Sequence, residues 1–268
     1  MIVACSAAPS APFHIGLFVK LHFLGTTGYH PNNQRHTACL MIPEMGVIFD
    51  AGTGIFRARD LIQTPVLDIF LSHVHLDHCV GLTFLYDVLL GKSLERVTVH
   101  VAESKIEAIC RQLYAEELFP VRPNFELLPL PKDGRIKFSD DVNLTAIPIV
   151  HPGGCHAFRL DWLQRGKSMA YVTDTTADPN ADYVRAIRQV DTLIHECYFP
   201  DGWEDKAELT GHSCLTPVAK VAAAAEVARC FLVHVNPLDE SDQPLDLASV
   251  EQYFRHIEVA CDRQVIDV

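Results

Sequence analysis

Three histidines and one aspartate fall within six positions of this chain, directly after a run of residues that favours a β-strand. The run covers residues 65–71, and the cluster consists of His73, His75, Asp77 and His78. Alternation along an extended segment places His73 and His75 on one side, whereas Asp77 and His78 fall on a turn where the next helix starts. Such polar groups are costly to bury unless something binds them. The cluster therefore predicts a metal site at the end of a strand.

A single Zn²⁺ ion takes about four ligands, so the cluster can serve two ions if further ligands come from elsewhere in the chain. Three residues qualify, because each ends a short apolar run typical of a strand: His151, Asp174 and His234. Taken alone, a histidine such as His151 or His234 is more often a packing or capping residue. Only the cluster makes the ligand interpretation the better one. We expect one edge of a sheet core to gather all seven side chains.

The length and composition favour one folded unit. With 268 residues and 49% hydrophobic content, the chain can bury a sizeable core, and no linker, charge block or internal repeat divides it. We predict a single domain over residues 18–268, preceded by a disordered leader over residues 1–17. No stretch approaches the roughly 20 apolar residues of a membrane span, and the first residues lack the basic start of a signal peptide. We therefore expect no membrane partner.

The cysteines and the net charge bear on location and partners. The nine cysteines form an odd set without a C-x-x-C pair, which favours the reducing cytoplasm. Four of them, Cys79, Cys155, Cys197 and Cys214, lie near motif residues, and we interpret them as small buried residues rather than ligands. A net charge of -12 argues against a large nucleic acid as a partner but leaves a small phosphate ester open. A homodimer is left open as well.

The cluster matches the His-x-His-x-Asp-His motif of the metallo-β-lactamase superfamily, which the chain resembles from about residue 21 to about residue 237. The resemblance implies an α/β fold, α+β in some schemes, built as a four-layer αββα sandwich. It also implies two divalent metal ions, for which we favour zinc over manganese or iron. The implied ligands are His73, His75 and His151 for one ion, Asp77, His78 and His234 for the other, and Asp174 as the bridge. Asp50 matches an earlier family aspartate that supports the ligands from behind. A di-iron redox centre is disfavoured, because that branch has Glu where His75 stands.

Two further segments, residues 195–199 and 211–216, resemble the tRNase Z branch of the superfamily. In that branch and its phosphodiesterase relatives, an acidic residue orients a histidine that protonates the leaving oxygen, and Glu196 and His212 match those positions. A histidine held by a carboxylate keeps one tautomer and a raised pKa, which suits a general acid. We therefore predict His212, Glu196 and Asp77 as catalytic residues. A surface histidine without a role is the competing interpretation of His212.

The polar loop that follows the first strand lies beside the site in this family. The resemblance suggests four of its residues as substrate contacts, while simple solvation of the loop stays an equal alternative: His30, Asn33, Arg35 and His36.

The resemblance departs from tRNase Z at one point. That branch inserts a long tRNA-holding arm between the ligand histidine and the bridging aspartate, yet only 22 residues separate His151 from Asp174 here. We therefore predict a hydrolase of a small or cyclic phosphodiester, in which a metal-activated hydroxide attacks and His212 is the general acid. The alternatives are a hydrolase of a lactone, thioester or other carboxylic ester, a tRNA 3′-end endonuclease, and a non-catalytic metal-bound carrier or partner subunit.

Overall fold

The structure is a computed structural model that describes residues 19–241 and 243–268. The predicted leader, residues 1–17, lies outside the described residues. Two seven-stranded sheets make up the framework. The first contains Lys20–Gly25 (β1), Cys39–Ile42 (β2), Val47–Phe49 (β3), Val66–Phe70 (β4), Arg96–Val101 (β5), Glu126–Pro129 (β6) and Val265–Asp267 (β14). The second contains Arg135–Lys137 (β7), Val142–Ile149 (β8), Cys155–Trp162 (β9), Lys167–Val172 (β10), Thr192–Glu196 (β11), Arg229–Val233 (β12) and Ile257–Val259 (β13).

The two sheets repeat one plan. The first sheet runs in the order β14-β1-β2-β3-β4-β5-β6, and its strands β3 to β6 are mutually parallel. The second runs β13-β12-β11-β10-β9-β8-β7, and its strands β10 to β13 are mutually parallel. Antiparallel hairpins complete each sheet. Parallel neighbours end at the same edge, so chain segments that leave these strands meet there.

The helices are short and lie outside the sheets. The described α-helices are Leu76–Cys79 (α1), Leu85–Val88 (α2), Ile106–Ala108 (α3), Asp182–Ala186 (α4), Glu204–Thr210 (α5) and Leu215–Ala224 (α6). Tighter 3-10 turns occupy Pro43–Met45, Thr53–Asp60, Val80–Phe84, Glu103–Lys105 and Leu247–Val250, and a π turn occupies Ile109–Leu113. None of the described helices is both long and apolar enough to cross a membrane.

The core has three layers of packing, which together confirm the predicted αββα sandwich. Aromatic side chains fill the space between the sheets, where the rings of Phe49 and Phe158 join one sheet to the other with centroids 5.5 Å apart. On the outer face of the first sheet, the Thr53–Asp60 turn packs through Ile55. On the outer face of the second sheet, α6 packs through residues such as Val218. Apolar burial on both faces of each sheet suits the nearly continuous apolar runs of the parallel strands.

The structure corrects several helix predictions. The sequence pattern predicts helices over residues 80–90 and 248–256, but the first is a 3-10 turn followed by the single turn of α2, and the second is only the short Leu247–Val250 turn. The pattern also suggests Thr216 as the N-cap of an alanine-rich helix over residues 217–228, but α6 begins at Leu215, and the backbone N–H and hydroxyl of Thr216 donate to Asp201 instead. Short helices lack the several turns that make a periodic pattern visible, which is also why α4 and α5 were not predicted.

Candidate metal centre and proton donor

All seven predicted ligands lie where chain segments leave strands at one edge of the two sheets. The cluster follows β4, and its last two members lie on α1. In the second sheet, His151 follows β8, Asp174 follows β10 and His234 follows β12. The order in which strands pair therefore brings together residues that are far apart in the sequence. This is the edge at which ligands of mixed α/β sheets commonly bind.

The seven side chains form two groups that share one carboxylate. Within each group, one candidate ligand atom per residue lies within 4.8 Å of all the others. The first group is His73, His75, His151 and Asp174, and the second is Asp77, His78, Asp174 and His234. Each group has the four donors that a tetrahedral divalent cation requires. In the part of the chain that the structure describes, no cysteine joins either group.

The two oxygens of Asp174 face different groups. Its Oδ2 lies 3.5 Å from His73 Nε2 and 3.7 Å from His151 Nε2. Its Oδ1 lies 3.2 Å from His78 Nε2 and 3.3 Å from His234 Nε2. A carboxylate that directs one oxygen to each set of imidazoles has the geometry of a bridge between two cations.

The donor set fits divalent cations better than it fits protons. His78 Nε2 and His234 Nε2 lie 3.2 Å apart, so two imidazole nitrogens approach each other in a buried space. His73 Nε2 is buried and has no hydrogen-bond partner among the described residues. Buried polar atoms normally have a partner, and nitrogens that converge in this way are typical of a metal site.

Hydrogen bonds behind the ligands fix which nitrogen faces the centre. His78 Nδ1 donates to Asp50 Oδ2 at 2.8 Å, and Asp50 also accepts from the Ser72 backbone N–H at 2.7 Å and the Tyr171 hydroxyl at 2.8 Å. His151 Nδ1 donates to the carbonyl of Gly211 at 2.9 Å. In each contact Nδ1 is used by the hydrogen bond, so Nε2 is the nitrogen that faces the candidate metal centre. Hydrogen bonds of this kind hold metal-binding histidines in place. Asp50 therefore lies behind the candidate ligand His78.

The loop between β1 and β2 closes against His234. A Cβ added at Gly28 would lie 2.2 Å from His234 Cε1, so only glycine fits at this point. His234 itself has φ 57°, in the left-handed region, where any residue other than glycine has a strained backbone. In the same loop, the backbone N–H of Tyr29 donates to Asp77 Oδ2 at 2.8 Å. The loop thus positions two of the candidate ligands.

The charges of the site favour ionised carboxylates and a neutral His73. Burial alone would raise the pKa of Asp174, but the neighbouring His234 and His78 outweigh it and hold that pKa well below its usual range. Asp77 behaves in the same way, because His78 and His234 lower its pKa against the effect of burial. Burial and the adjacent His78 lower the pKa of His73. Carboxylate and neutral imidazole are the forms that bind metals. Burial would lower the pKa of His78, but the carboxylates of Asp174, Asp77 and Asp50 hold it well above its ordinary value, so a cation bound there would displace a proton from His78.

Glu196 and His212 lie together at the margin of the second group. His212 Nδ1 is 3.5 Å from Glu196 Oε1, within ion-pair distance, but it has no hydrogen-bond partner among the described residues. Glu196 is fully buried and accepts backbone hydrogen bonds from Thr175 at 3.2 Å and Tyr198 at 3.1 Å. The His212 ring stacks on the His234 ring with centroids 5.2 Å apart. Burial would lower the pKa of His212, but the Glu196 carboxylate raises it above the ordinary value.

Of the four predicted loop contacts, the structure removes one. Arg35 is only 4% exposed, and its guanidinium donates to Thr26 Oγ1 and the carbonyl of Ala260. It therefore braces the loop and is not free to reach a phosphate. The other three, His30, Asn33 and His36, line an open cavity of about 570 Å³, although Asn33 already donates to Glu240 at 3.0 Å.

Three contributors to the site were not predicted. Gly28 carries no signal that a single sequence reveals, since its importance depends on a neighbour distant in the chain. Tyr198 lies within the recognised segment 195–199, but its ring contacts with His212 and His234 appear only in the fold. Ser213 lies within a recognised segment, and its role appears only in the fold: its hydroxyl donates to the carbonyl of Thr175 at 2.6 Å and accepts from the backbone N–H of Ala177 at 3.0 Å. It therefore ties the His212 segment to the loop that follows Asp174.

The αββα fold and this His/Asp cluster define a metal-dependent hydrolase. The chain belongs to the β-lactamase superfamily: the family described as Beta-lactamase superfamily domain matches residues 46–235. It is 23% identical to the Ribonuclease Z of Archaeoglobus fulgidus over 94% of this chain and 98% of that protein.

Solved structures agree on the fold. The metallo-β-lactamase fold protein YhfI from Bacillus subtilis is 17% identical with a TM-score of 0.75, over 94% of this chain and 100% of that chain. A diphosphatase from the PhnP family is 17% identical with a TM-score of 0.71, over 94% of this chain and 98% of that chain. These structures show the fold, and the similarity to the ribonuclease agrees with the predicted tRNase Z and phosphodiesterase branch.

Proposed function

We propose that the protein uses two divalent cations to hydrolyse a small or cyclic phosphodiester. Of the possible cations, we favour zinc over manganese or iron. The observation that carries this proposal is the placement of His212, held near Glu196 and stacked on the candidate ligand His234. A positioned proton donor is needed when the leaving group is an alkoxide, which is a poor leaving group when unprotonated. Hydrolysis of a lactone or thioester is the weaker alternative, because acyl hydrolases of this superfamily do not usually need such an acid.

The residues assigned to the cations are the two groups that share Asp174. When bound, the cations lower the pKa of a water molecule and neutralise negative charge on the phosphoryl oxygens. Asp77, kept ionised by its histidine neighbours, accepts a hydrogen bond from the attacking water and orients it. Its low pKa makes it a weak base, so we assign it orientation rather than proton abstraction.

His212 supplies the proton for the leaving oxygen. Glu196 stabilises the Nδ1 proton and the positive charge of the ring, which leaves the Nε2 proton for donation. The buried Glu196 cannot turn away, because backbone N–H groups hold both of its oxygens. His212 in turn cannot shift far, because Ser213 fixes the next residue to the Asp174 loop.

A tRNA substrate is less well supported than a small diester. Between His151 and Asp174 the chain forms only β9 and β10 with their turns, so no arm projects there. The alignment with the ribonuclease runs over 305 positions although the whole chain has 268 residues, so that relative carries segments that this chain lacks. The acidic net charge also weakens capture of a polyanion.

The test compares two leaving groups in the metal-loaded protein. His212→Ala should lower kcat for a cyclic nucleotide, whose leaving alkoxide needs a proton, by roughly 10²-fold to 10⁴-fold. It should change kcat for bis(p-nitrophenyl) phosphate far less, because p-nitrophenolate leaves without protonation. Metal content, measured by mass spectrometry for each variant, should stay at the wild-type level. His256→Ala, an exposed histidine away from the centre, is the matched control.

Two results would contradict the proposal. Equal losses on both substrates with unchanged metal content would remove the general acid role of His212. A fully metal-loaded wild type that hydrolyses neither substrate but cleaves lactones or thioesters would favour the acyl alternative.

A further inference from the structure

A cavity of about 380 Å³ lies next to the proton donor, and aromatic rings form much of its wall. Tyr198 lines it and stacks on His212, with centroids 5.1 Å apart and planes 22° apart. Beyond Tyr198, the Phe199 and Trp203 rings are nearly parallel, at 10° and 6.1 Å. Asn236 and Leu238, just after the candidate ligand His234, also line the cavity. The cavity is within the size range of small-ligand sites.

The charges of the cavity do not favour a second phosphate. Lys206 is the one lysine among the described residues that line the cavity, and its ammonium lies over the Trp203 ring at 5.1 Å from the centroid. Asp239 and Glu240 also line the cavity, so the acidic groups outnumber the basic one. A polyanionic backbone would be repelled here, whereas an uncharged flat ring meets aromatic faces and the amide of Asn236.

The position of the cavity relates it to one side of the reaction. Tyr198 contacts both His212 and the cavity, so a group attached to the oxygen that His212 protonates extends past Tyr198 into it. This step depends on the proposed function, since it uses His212 as the acid. Trp203 is 49% exposed, which leaves ring surface available for a ligand to cover.

We infer that this cavity is a binding site for a planar aromatic ring carried by the leaving group of the substrate, with a nucleobase as the type that matches an aromatic wall and an amide. The ring packs against Trp203 and Tyr198, and Asn236 contacts its polar edge. The substrate class is then a phosphodiester whose leaving alcohol bears such a ring, as a nucleoside does, rather than a simple alkyl or sugar phosphate.

Tryptophan fluorescence reports on this site directly. The chain has two tryptophans, and Trp162 is buried at 1% exposure while Trp203 lines the cavity. Adenosine 5′-monophosphate should quench the emission of Trp203 to saturation, phenyl phosphate should quench it at higher concentration, and ribose 5-phosphate should leave it unchanged. By calorimetry, Trp203→Leu should weaken adenosine 5′-monophosphate binding roughly tenfold or more, the usual effect of losing a base-stacking ring. Trp203→Phe should keep most of the affinity.

A matched control is available elsewhere on the surface. Tyr253 is an exposed aromatic residue with a lysine over its ring, Lys220 at 5.0 Å, but it does not line the cavity. Tyr253→Leu should leave ligand binding unchanged. Trp203→Leu should also lower kcat/KM for adenosine 3′,5′-cyclic phosphate by roughly tenfold, while kcat/KM for a base-free cyclic ribose phosphate changes by less than about twofold.

The outcomes separate this inference from the proposed function. If adenosine 5′-monophosphate and ribose 5-phosphate bind equally well and Trp203 emission does not respond, the ring site is overturned, even when both cyclic phosphates are hydrolysed. If quenching occurs but neither cyclic phosphate is hydrolysed by the metal-loaded protein, the ring site stands and the phosphodiesterase proposal fails. If phenyl phosphate binds more tightly than adenosine 5′-monophosphate, the inference that the ring is a nucleobase is overturned.

Discussion

At the scale of single residues, the candidate metal centre depends on residues outside the two groups of candidate ligands. Asp50 holds His78, Gly28 gives His234 room, and Glu196 sets the proton state of His212. Asp50 has φ 58° and His234 has φ 57°, so the backbone is strained at two positions of the site. Such strain persists only where surrounding contacts overcome it, as functional sites often require.

Gly28→Ala should displace His234 and remove one cation. The added Cβ would lie 2.2 Å from His234 Cε1, far inside contact distance, and its three nearest atoms all belong to the His234 imidazole. We expect metal content to fall from two ions per chain toward one, with loss of most hydrolytic activity. Gly166→Ala, where a Cβ meets nothing within 4 Å but a φ of 58° strains the alanine, shows what a loss of stability alone does to metal content. Unchanged metal content in Gly28→Ala would contradict the placement of His234 as a ligand.

Asp50→Asn should weaken metal binding by roughly 10-fold to 100-fold, the usual effect of losing a carboxylate behind a metal-binding histidine. The amide cannot accept as strongly from His78 Nδ1, and it leaves the Ser72 and Tyr171 donors with a poorer partner. Competition with a chelator of known affinity measures the change. Asp68→Asn is the matched control, since Asp68 is also buried and accepts from a histidine, His100, at 2.7 Å, yet supports no candidate ligand. An equal loss of metal affinity in both variants would contradict the role of Asp50 in supporting His78.

At the scale of elements, strand β11 directs neighbouring side chains to two different parts of the fold. Alternation along the strand turns Glu196 toward the catalytic edge and His195 toward α4, where the Tyr183 hydroxyl donates to His195 Nε2 at 3.2 Å. His195 Nδ1 donates to the carbonyl of Glu196 at 2.7 Å. Both ring nitrogens are therefore used by the neutral form. The same strand thus fixes the Glu196 carboxylate beside His212 and anchors the outer helix.

This arrangement predicts a loss of stability in acid. Burial lowers the pKa of His195 below its ordinary value of 6.5. Below pH 6.5 the unfolded chain binds a proton that the folded protein resists, so stability present above that pH is lost as the pH falls toward the lowered pKa. The free energy of unfolding of the wild type should fall more steeply between pH 7.5 and 5.5 than that of His195→Gln, by up to about 1.4 kcal/mol per pH unit. Urea unfolding at several pH values measures the difference, and parallel curves would refute it.

At the scale of the whole molecule, the candidate centre joins the two sheets. The cluster from His73 to His78 follows a strand of the first sheet, whereas His151, Asp174 and His234 follow strands of the second. Bound cations would therefore link two halves that otherwise meet mainly through the apolar layer between them. Metal binding and folding stability should be coupled for this reason.

Removal of metal should lower thermal stability as well as activity. A ligand that binds only the folded state stabilises it by about 4 kcal/mol at a thousandfold excess over its Kd. We expect a chelator to lower the Tm of the wild type by several degrees and added zinc to restore it. Asp174→Ala, which removes the carboxylate shared by both groups, should show little response to chelator or zinc. Identical melting curves with and without metal in the wild type would contradict a link between the sheets.

Much of this architecture could be predicted from the sequence because it is encoded locally. Apolar runs marked most strands, and the density of histidine and aspartate after β4 identified the ligand motif. His151, Asp174 and His234 were predictable because each ends such a run, so their position at the sheet edge follows from strand geometry. The helices were predicted less well, since several span only one or two turns and their periodicity is too short to read.

By itself, then, the amino-acid sequence determined the superfamily, the strand framework and the residue types that converge on the centre. Only the tertiary structure decided which oxygen of Asp174 faces which group, that Arg35 is buried against Ala260, and that Trp203 lines a cavity with Tyr198, whose ring stacks on His212. These facts depend on contacts between residues far apart in the chain. Local propensity carries no information about such contacts, because they are set by how the two sheets pack and where their connecting loops meet.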